Sequence, residues 1–261
     1  MSYAAVHGQR IWFQDTGGTA APIVLGHGFL MDHSMFDHQV EALRETYRVI
    51  TWDSRGFGRT EWDGQPFTYW DLADDCIALL DHLGLTEAVV GGMSQGGFVA
   101  LRAALRYPDR VRALILMSTQ ADSEDAAHVE LYEAMMAAWV KDGPSDDLAH
   151  AVAQIIISDP VEMLRWIPKW QARSRGLLFE AGRCLLTRED LTEQVKTITC
   201  PSMIIHGLQD AAIPLERAQQ LRVLLPGFQQ MTIIDGAGHA PNLTHPDVSN
   251  RAIREFLATL P

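Results

Sequence analysis

Gly92-Met93-Ser94-Gln95-Gly96 directly follows the apolar run Glu87-Ala88-Val89-Val90-Gly91 and directly precedes Gly97-Phe98-Val99-Ala100-Leu101-Arg102-Ala103-Ala104-Leu105. That order reads as strand, sharp turn and helix. A serine at such a turn is held in a strained backbone conformation that exposes its Oγ. The glycines two residues to either side remove Cβ atoms that would collide where strand and helix nearly touch. The helix that follows aims its first N–H groups at the same place, so negative charge developing beside Ser94 would be stabilised there.

Outward from the turn, short apolar, β-branched runs bounded by Gly, Pro or Asp recur: 11–14, 22–25, 47–52, 88–91, 111–117, 202–205 and 230–234. Several are apolar on both faces, as buried parallel strands must be. Helical spacing fills the intervals 35–46, 70–83, 95–107, 215–225 and 246–260. Strands alternating with helices imply βαβ units and a parallel sheet. The first pieces of chain, broken at His7-Gly8-Gln9 and Thr16-Gly17-Gly18, suggest antiparallel hairpins at one edge. After Met117 the alternation stops, to resume only at Ser202. Helical patterns over 128–140, 146–157, 161–166 and 169–184 occupy the gap. The expected organisation is therefore a core of residues 1–120 and 200–261, with residues 121–199 as a helical cap over the sheet's carboxyl edge, where ligand sites of α/β proteins form.

The 261 residues, 47% of them hydrophobic, suffice for one large core. A formal charge of −12, from 33 acidic and 21 basic residues that are scattered along the chain, argues against nucleic acid and anionic membrane as partners. Cys76, Cys184 and Cys200 are odd in number and lack Cys-x-x-Cys spacing, so neither a disulfide framework nor a zinc site is suggested, and a cytoplasmic setting fits. The N-terminus has no basic start followed by an apolar stretch, and no run approaches the roughly 18 residues of a membrane span. A soluble, unprocessed protein is expected.

A nucleophilic serine needs a base, because its hydroxyl is protonated at neutral pH. His239, in Gly236-Ala237-Gly238-His239-Ala240-Pro241 just past the last strand, is the leading candidate. A carboxylate must orient that base and stabilise its cation. Asp210, in the loop after the preceding strand, supplies it in the chain order Ser, Asp, His; Asp122, after the strand at 111–117, is the rival. Two backbone N–H groups are needed for the oxyanion: that of Gln95, next to the nucleophile, and that of Phe29 in Gly26-His27-Gly28-Phe29-Leu30. His27 reads as a loop anchor. The glycines of Asp53-Ser54-Arg55-Gly56-Phe57-Gly58 match no nucleotide-binding spacing, and the segment reads as a structural turn. No metal-ligand cluster is evident, and no cofactor is implied.

His27-Gly28-Phe29, Asp53 to Gly58, Gly92 to Gly97, Gly207-Leu208-Gln209-Asp210 with Pro214, and Gly238-His239 together resemble the α/β-hydrolase superfamily, in its order and at its distances, over essentially the whole chain. The resemblance implies an eight-stranded, mostly parallel sheet flanked by helices, with an all-helical cap between strands six and seven. It also implies hydrolysis of a small ester or lactone without a cofactor. Ser94 would be nucleophile, His239 general base and acid, Asp210 the orienting acid, and Phe29 and Gln95 the oxyanion hole. The chain looks most like small esterases and the 3-oxoadipate enol-lactonase group. Carbon–carbon bond hydrolases and cofactor-free haloperoxidases share this triad, and receptor-like members of the fold bind ligands with little turnover. In the cap, Met135, Trp139, Trp166 and Trp170 are expected to line an apolar pocket. Arg165, Arg173, Arg175 and Arg183 are the alternative, as partners of a substrate carboxylate.

Overall fold

The computed structural model describes residues 2–173 and 178–261. Eight strands, β1 (Ser2–Val6), β2 (Gln9–Asp15), β3 (Pro22–Gly26), β4 (Arg48–Trp52), β5 (Ala88–Met93), β6 (Val111–Met117), β7 (Ser202–Gly207) and β8 (Phe228–Ile234), form one sheet in the order β1-β2-β4-β3-β5-β6-β7-β8. β1, β2 and β4 pair antiparallel, and every pairing from β4 through β8 is parallel. The β1–β2 hairpin turns at His7 and Gly8, both at positive φ, the twist that suits a two-residue hairpin turn. β5 and β7 are buried along their whole length, as strands inside a sheet covered on both faces must be.

Flanking helices are α1 (Asp37–Leu43), α2 (Tyr69–His82), α3 (Gln95–Arg106), α8 (Leu215–Leu224), α9 (Pro241–Thr244) and α10 (Pro246–Leu257). α2 starts at a capping box in which Thr68 and Asp71 satisfy each other's backbone N–H. α3 lies against β5 and β6, and α10 against α1 and β8. The helix expected over 35–46 is shorter: a 3₁₀ turn at His33–Phe36 leads into α1, because the Asp32 carboxylate takes the Ser34 N–H at 2.9 Å and caps the chain there.

Between β6 and β7 lie α4 (Ala126–Asp142), α5 (Asp146–Ile156), α6 (Pro160–Gln171) and α7 (Leu178–Leu186). α4 packs on α7, and α5 on α6. The break expected before Lys169 is absent, since α6 runs through Pro168. Pro168 removes the usual donor to the Leu164 carbonyl, at a position of α6 where the residue is 77% exposed. Part of the expected helix 169–184, and Arg175 with it, lies outside the described residues. This segment is tied to the loops and helices around the sheet by charge. Lys169 Nζ is 3.2 Å from Asp32, Arg165 2.6 Å from Asp37, and the buried Arg102 of α3 2.9 Å from Glu189. Among the described residues no helix is long and apolar enough to cross a membrane.

Candidate active site

Ser94 stands between β5 and α3 at φ 52°, ψ −112°, a left-handed conformation that costs a non-glycine residue roughly 1–3 kcal/mol. The surroundings hold it there. Its N–H donates to Met117 O at 2.8 Å, and its carbonyl accepts from Gly97 N, Phe98 N and Thr119 Oγ1. Three backbones meet below it: a Cβ on Gly96 would lie 1.9 Å from Gly26 O, and one on Gly92 would lie 2.5 Å from the same atom. Only glycine permits that junction of β3, β5 and α3.

The loops after β7 and β8 bring His239 and Asp210 together. Gln209 N donates to Ala237 O and Leu208 N to Ile234 O, each at 2.9 Å, and a Cβ on Gly207 would meet Gly238 O at 2.0 Å. His239 Nδ1 donates to Asp210 Oδ2 at 2.8 Å, which leaves Nε2 as the basic nitrogen. The Asp210 side chain is fully buried. Its Oδ1 accepts from Ala212 N and Ile213 N, both at 2.9 Å. Burial pushes this carboxyl up, but the charge and hydrogen bond of His239 and the backbone donor outweigh it and hold the group below its ordinary value. Behind Asp210 lies His206, fully buried 3.4 Å away, with Nε2 on Ile213 O. Burial keeps His206 neutral by lowering its pKa, a neighbour that sequence reasoning gave no role. Asp122 is taken by Arg217 and touches no histidine among the described residues.

In the loop after β3, Leu30 adopts φ 65°, and among the described residues no protein acceptor takes the Phe29 N–H or the Gln95 N–H. His27 anchors this loop, as expected. Its Nδ1 donates to Gly28 O at 2.8 Å and its Nε2 accepts from Ser54 N at 3.1 Å, while burial lowers its pKa and keeps it neutral. The 53–58 segment is likewise a structural turn: Arg55 holds the buried Asp75 through two hydrogen bonds of 2.7 and 2.8 Å. Asp32, His33 and Asp53 are the group nearest to a metal site among the described residues. Their donors are met within the protein, Asp53 by His33 and the Arg59 N–H, and Asp32 by Ser34 and Lys169.

Ser94, His239 and Phe29 line one cavity of about 100 Å³ beneath the α4–α7 helices, several times the space one water needs. Its other walls are largely apolar. Of the four cap side chains expected there, Met135 and Trp139 line it. Trp166 and Trp170 do not: Trp166 packs under Lys169, 4.2 Å from its ring centre, and Trp170 against Trp139 at 6.0 Å. Tyr132 and Met136 line it as well. With Met135 and Trp139 they fall at positions i, i+3, i+4 and i+7 of α4, one helical face, and that phase was the available signal. Arg165, Arg173 and Arg183 are spent on Asp37, Gly56 O and Glu180. The arginine at the cavity is instead Arg188, just after α7, buried and bonded to Glu124 Oε2 at 3.1 Å and to Leu185 O at 2.9 Å.

A family model for the alpha/beta hydrolase fold matches residues 21–246. A candidate non-heme chloroperoxidase of Synechocystis sp. is 30% identical, over 95% of this chain and 94% of its own. Among solved structures, a thermophilic esterase from Thermogutta terrifontis superposes with a TM-score of 0.89 at 30% identity, covering 99% of this chain and 97% of its own. The enol-lactonase from Burkholderia xenovorans LB400 superposes with 0.90 at 26% identity, covering 98% and 99%. With its motifs, its sheet order and its matched length in agreement, the chain belongs to the α/β hydrolase fold family.

Proposed function

We propose that this chain is a serine hydrolase that cleaves a small carboxylic ester or lactone through an acyl-enzyme at Ser94. The observation that carries the reading is the convergence on one apolar cavity of a strained serine and of a histidine whose far nitrogen is bonded to a buried carboxylate. His239 Nε2 removes the Ser94 proton as Oγ attacks the carbonyl carbon, and the Phe29 and Gln95 N–H groups receive the oxyanion. His239 then gives the proton to the leaving alkoxide. Water repeats the cycle on the acyl-enzyme, releasing the acid and restoring Ser94. Residues 121–199 act as the cap that encloses the acyl group. No cofactor, metal, nucleic acid or membrane enters this scheme, and a cytoplasmic setting is in keeping with three free cysteines.

The likeness to the Synechocystis chain favours a second reaction of the same intermediate, in which hydrogen peroxide replaces water and the acyl-enzyme leaves as a peracid. Fluorophosphonate labelling with mass spectrometry tests the nucleophile. An adduct on Ser94, absent from Ser94→Ala, is expected, together with turnover of p-nitrophenyl acetate. A folded protein that takes no label would defeat every serine-hydrolase reading and favour a ligand-binding role.

A further inference from the structure

Met136 faces two spaces. On one side it lines the cavity that holds Ser94 and His239. On the other it lines a groove of about 420 Å³ between α4 and α7, shared with Ala137, Val140, Phe179, Gly182 and Leu186. Glu133, Lys141, Arg183 and Thr187 complete the lining, which is largely apolar, and Phe179 there is 60% exposed, a large apolar side chain left facing water. The thioether is seated on α7 by the absence of a side chain, since a Cβ on Gly182 would lie 2.0 Å from Met136 Sδ. Methionine is also the apolar side chain that repacks most readily, being unbranched with three rotatable bonds.

We propose that this groove is an acyl-tail subsite continuous with the active-site cavity, and that Met136 is the partition whose size sets the chain length accepted. The inference rests on the ester-hydrolase reading. In that mechanism the alcohol leaves before water attacks, whereas the acyl group stays bonded to Ser94 Oγ through both steps and needs the enclosed apolar space. A short acyl group fits the cavity alone. On this proposal a longer unbranched chain, of six to eight carbons, extends past Met136, the residue that lines both the cavity and the groove. The occupant is therefore an aliphatic acyl chain.

The test is kcat/KM for p-nitrophenyl acetate, butyrate, hexanoate and octanoate. Met136→Ala is expected to raise the octanoate-to-acetate ratio by about tenfold, as one to two newly buried methylene groups would give, and Met136→Phe to lower it. Adding Phe179→Asp, which touches only the groove, to Met136→Ala should cancel the gain on octanoate and leave acetate unchanged. A ratio unmoved by both substitutions at Met136, or a gain that survives Phe179→Asp, overturns the subsite. Failure of the wild-type protein to cleave any of the four esters is a different result, which removes the hydrolase reading itself.

Discussion

Replacing Asp210 by Asn changes one atom and should nearly abolish turnover, for a reason fixed by three hydrogen bonds. Oδ1 accepts from the N–H groups of Ala212 and Ile213, both at 2.9 Å, so the carboxamide oxygen must take that side. The reverse orientation would set an NH₂ against two buried donors, at roughly 1–3 kcal/mol for each unmet bond. The NH₂ is thus forced toward His239 Nδ1, 2.8 Å away in the parent. Nδ1 can then only accept, the ring proton moves to Nε2, and the nitrogen that should take the Ser94 proton is already protonated. The loss of kcat expected for such a tautomer switch is on the order of 10⁴, or about 5 kcal/mol of transition-state stabilisation. KM should change little, because the ground-state contacts of the ester lie elsewhere. The assay is steady-state hydrolysis of p-nitrophenyl acetate, with circular dichroism and a thermal melt to show that the variant is folded. Asp122→Asn, made in parallel, should stay within a few-fold of the parent, since Asp122 serves Arg217. Folded Asp210→Asn with activity within tenfold of the parent would refute the reasoning, as would an equal loss in Asp122→Asn.

Asp32 gives a pH signature. Burial raises its carboxyl, but the Ser34 hydrogen bonds and Lys169 hold it at about 2, below its ordinary 3.8. A depressed acid stabilises the fold above its unfolded pKa and loses that contribution as pH falls through the folded one. In urea titrations the parent should exceed Asp32→Asn by about 2 kcal/mol at neutral pH. The difference should shrink between about pH 4 and pH 2, and a difference constant over that range would exclude the charge as its source. Gly96→Ala drives a methyl into the Gly26 carbonyl, and backbone cannot step aside as a side chain would. Destabilisation of about 3 kcal/mol or more is expected, seen as a collapsed melting temperature or insoluble protein. Gly17→Ala, at φ 74° with open space around it, should cost only about 1 kcal/mol.

The parts of this molecule that the sequence made legible are those in which one residue type satisfies one local constraint. Gly92, Ser94 and Gly96 announced the elbow because no other small set fits a strand meeting a helix at van der Waals contact. Asp210 and His239 were placed by chain order past strand ends, and that order is a property of the parallel sheet. The cap was read less well. Trp166 and Trp170 were expected at the cavity on their composition, but each turns to a packing partner, because which face a helix buries depends on its neighbours. Arg188 escaped notice for the same reason: the ion pair with Glu124 joins two segments 64 residues apart, and no local pattern encodes it. The short α1 and the unbroken α6 differ from expectation where a cap at Asp32 starts a 3₁₀ turn and where α6 carries Pro168 in its interior.

The junction of Gly26, Gly92 and Gly96 divides the protein's freedom to change. The three glycines have no rotamers, so substitutions elsewhere in the core can shift side chains while Ser94 stays held, chiefly by peptide groups and by the Thr119 hydroxyl. Above it, the cavity walls are side chains in a segment that meets the loops and helices around the sheet through surface charge pairs. On the hydrolase reading proposed above, diversity introduced at Tyr132, Met135, Met136 and Trp139 therefore samples substrates while Ser94 and His239 stay in register, and diversity introduced at the glycines samples only misfolding. A search for new activities in this scaffold has its productive positions marked out by which contacts are backbone and which are not.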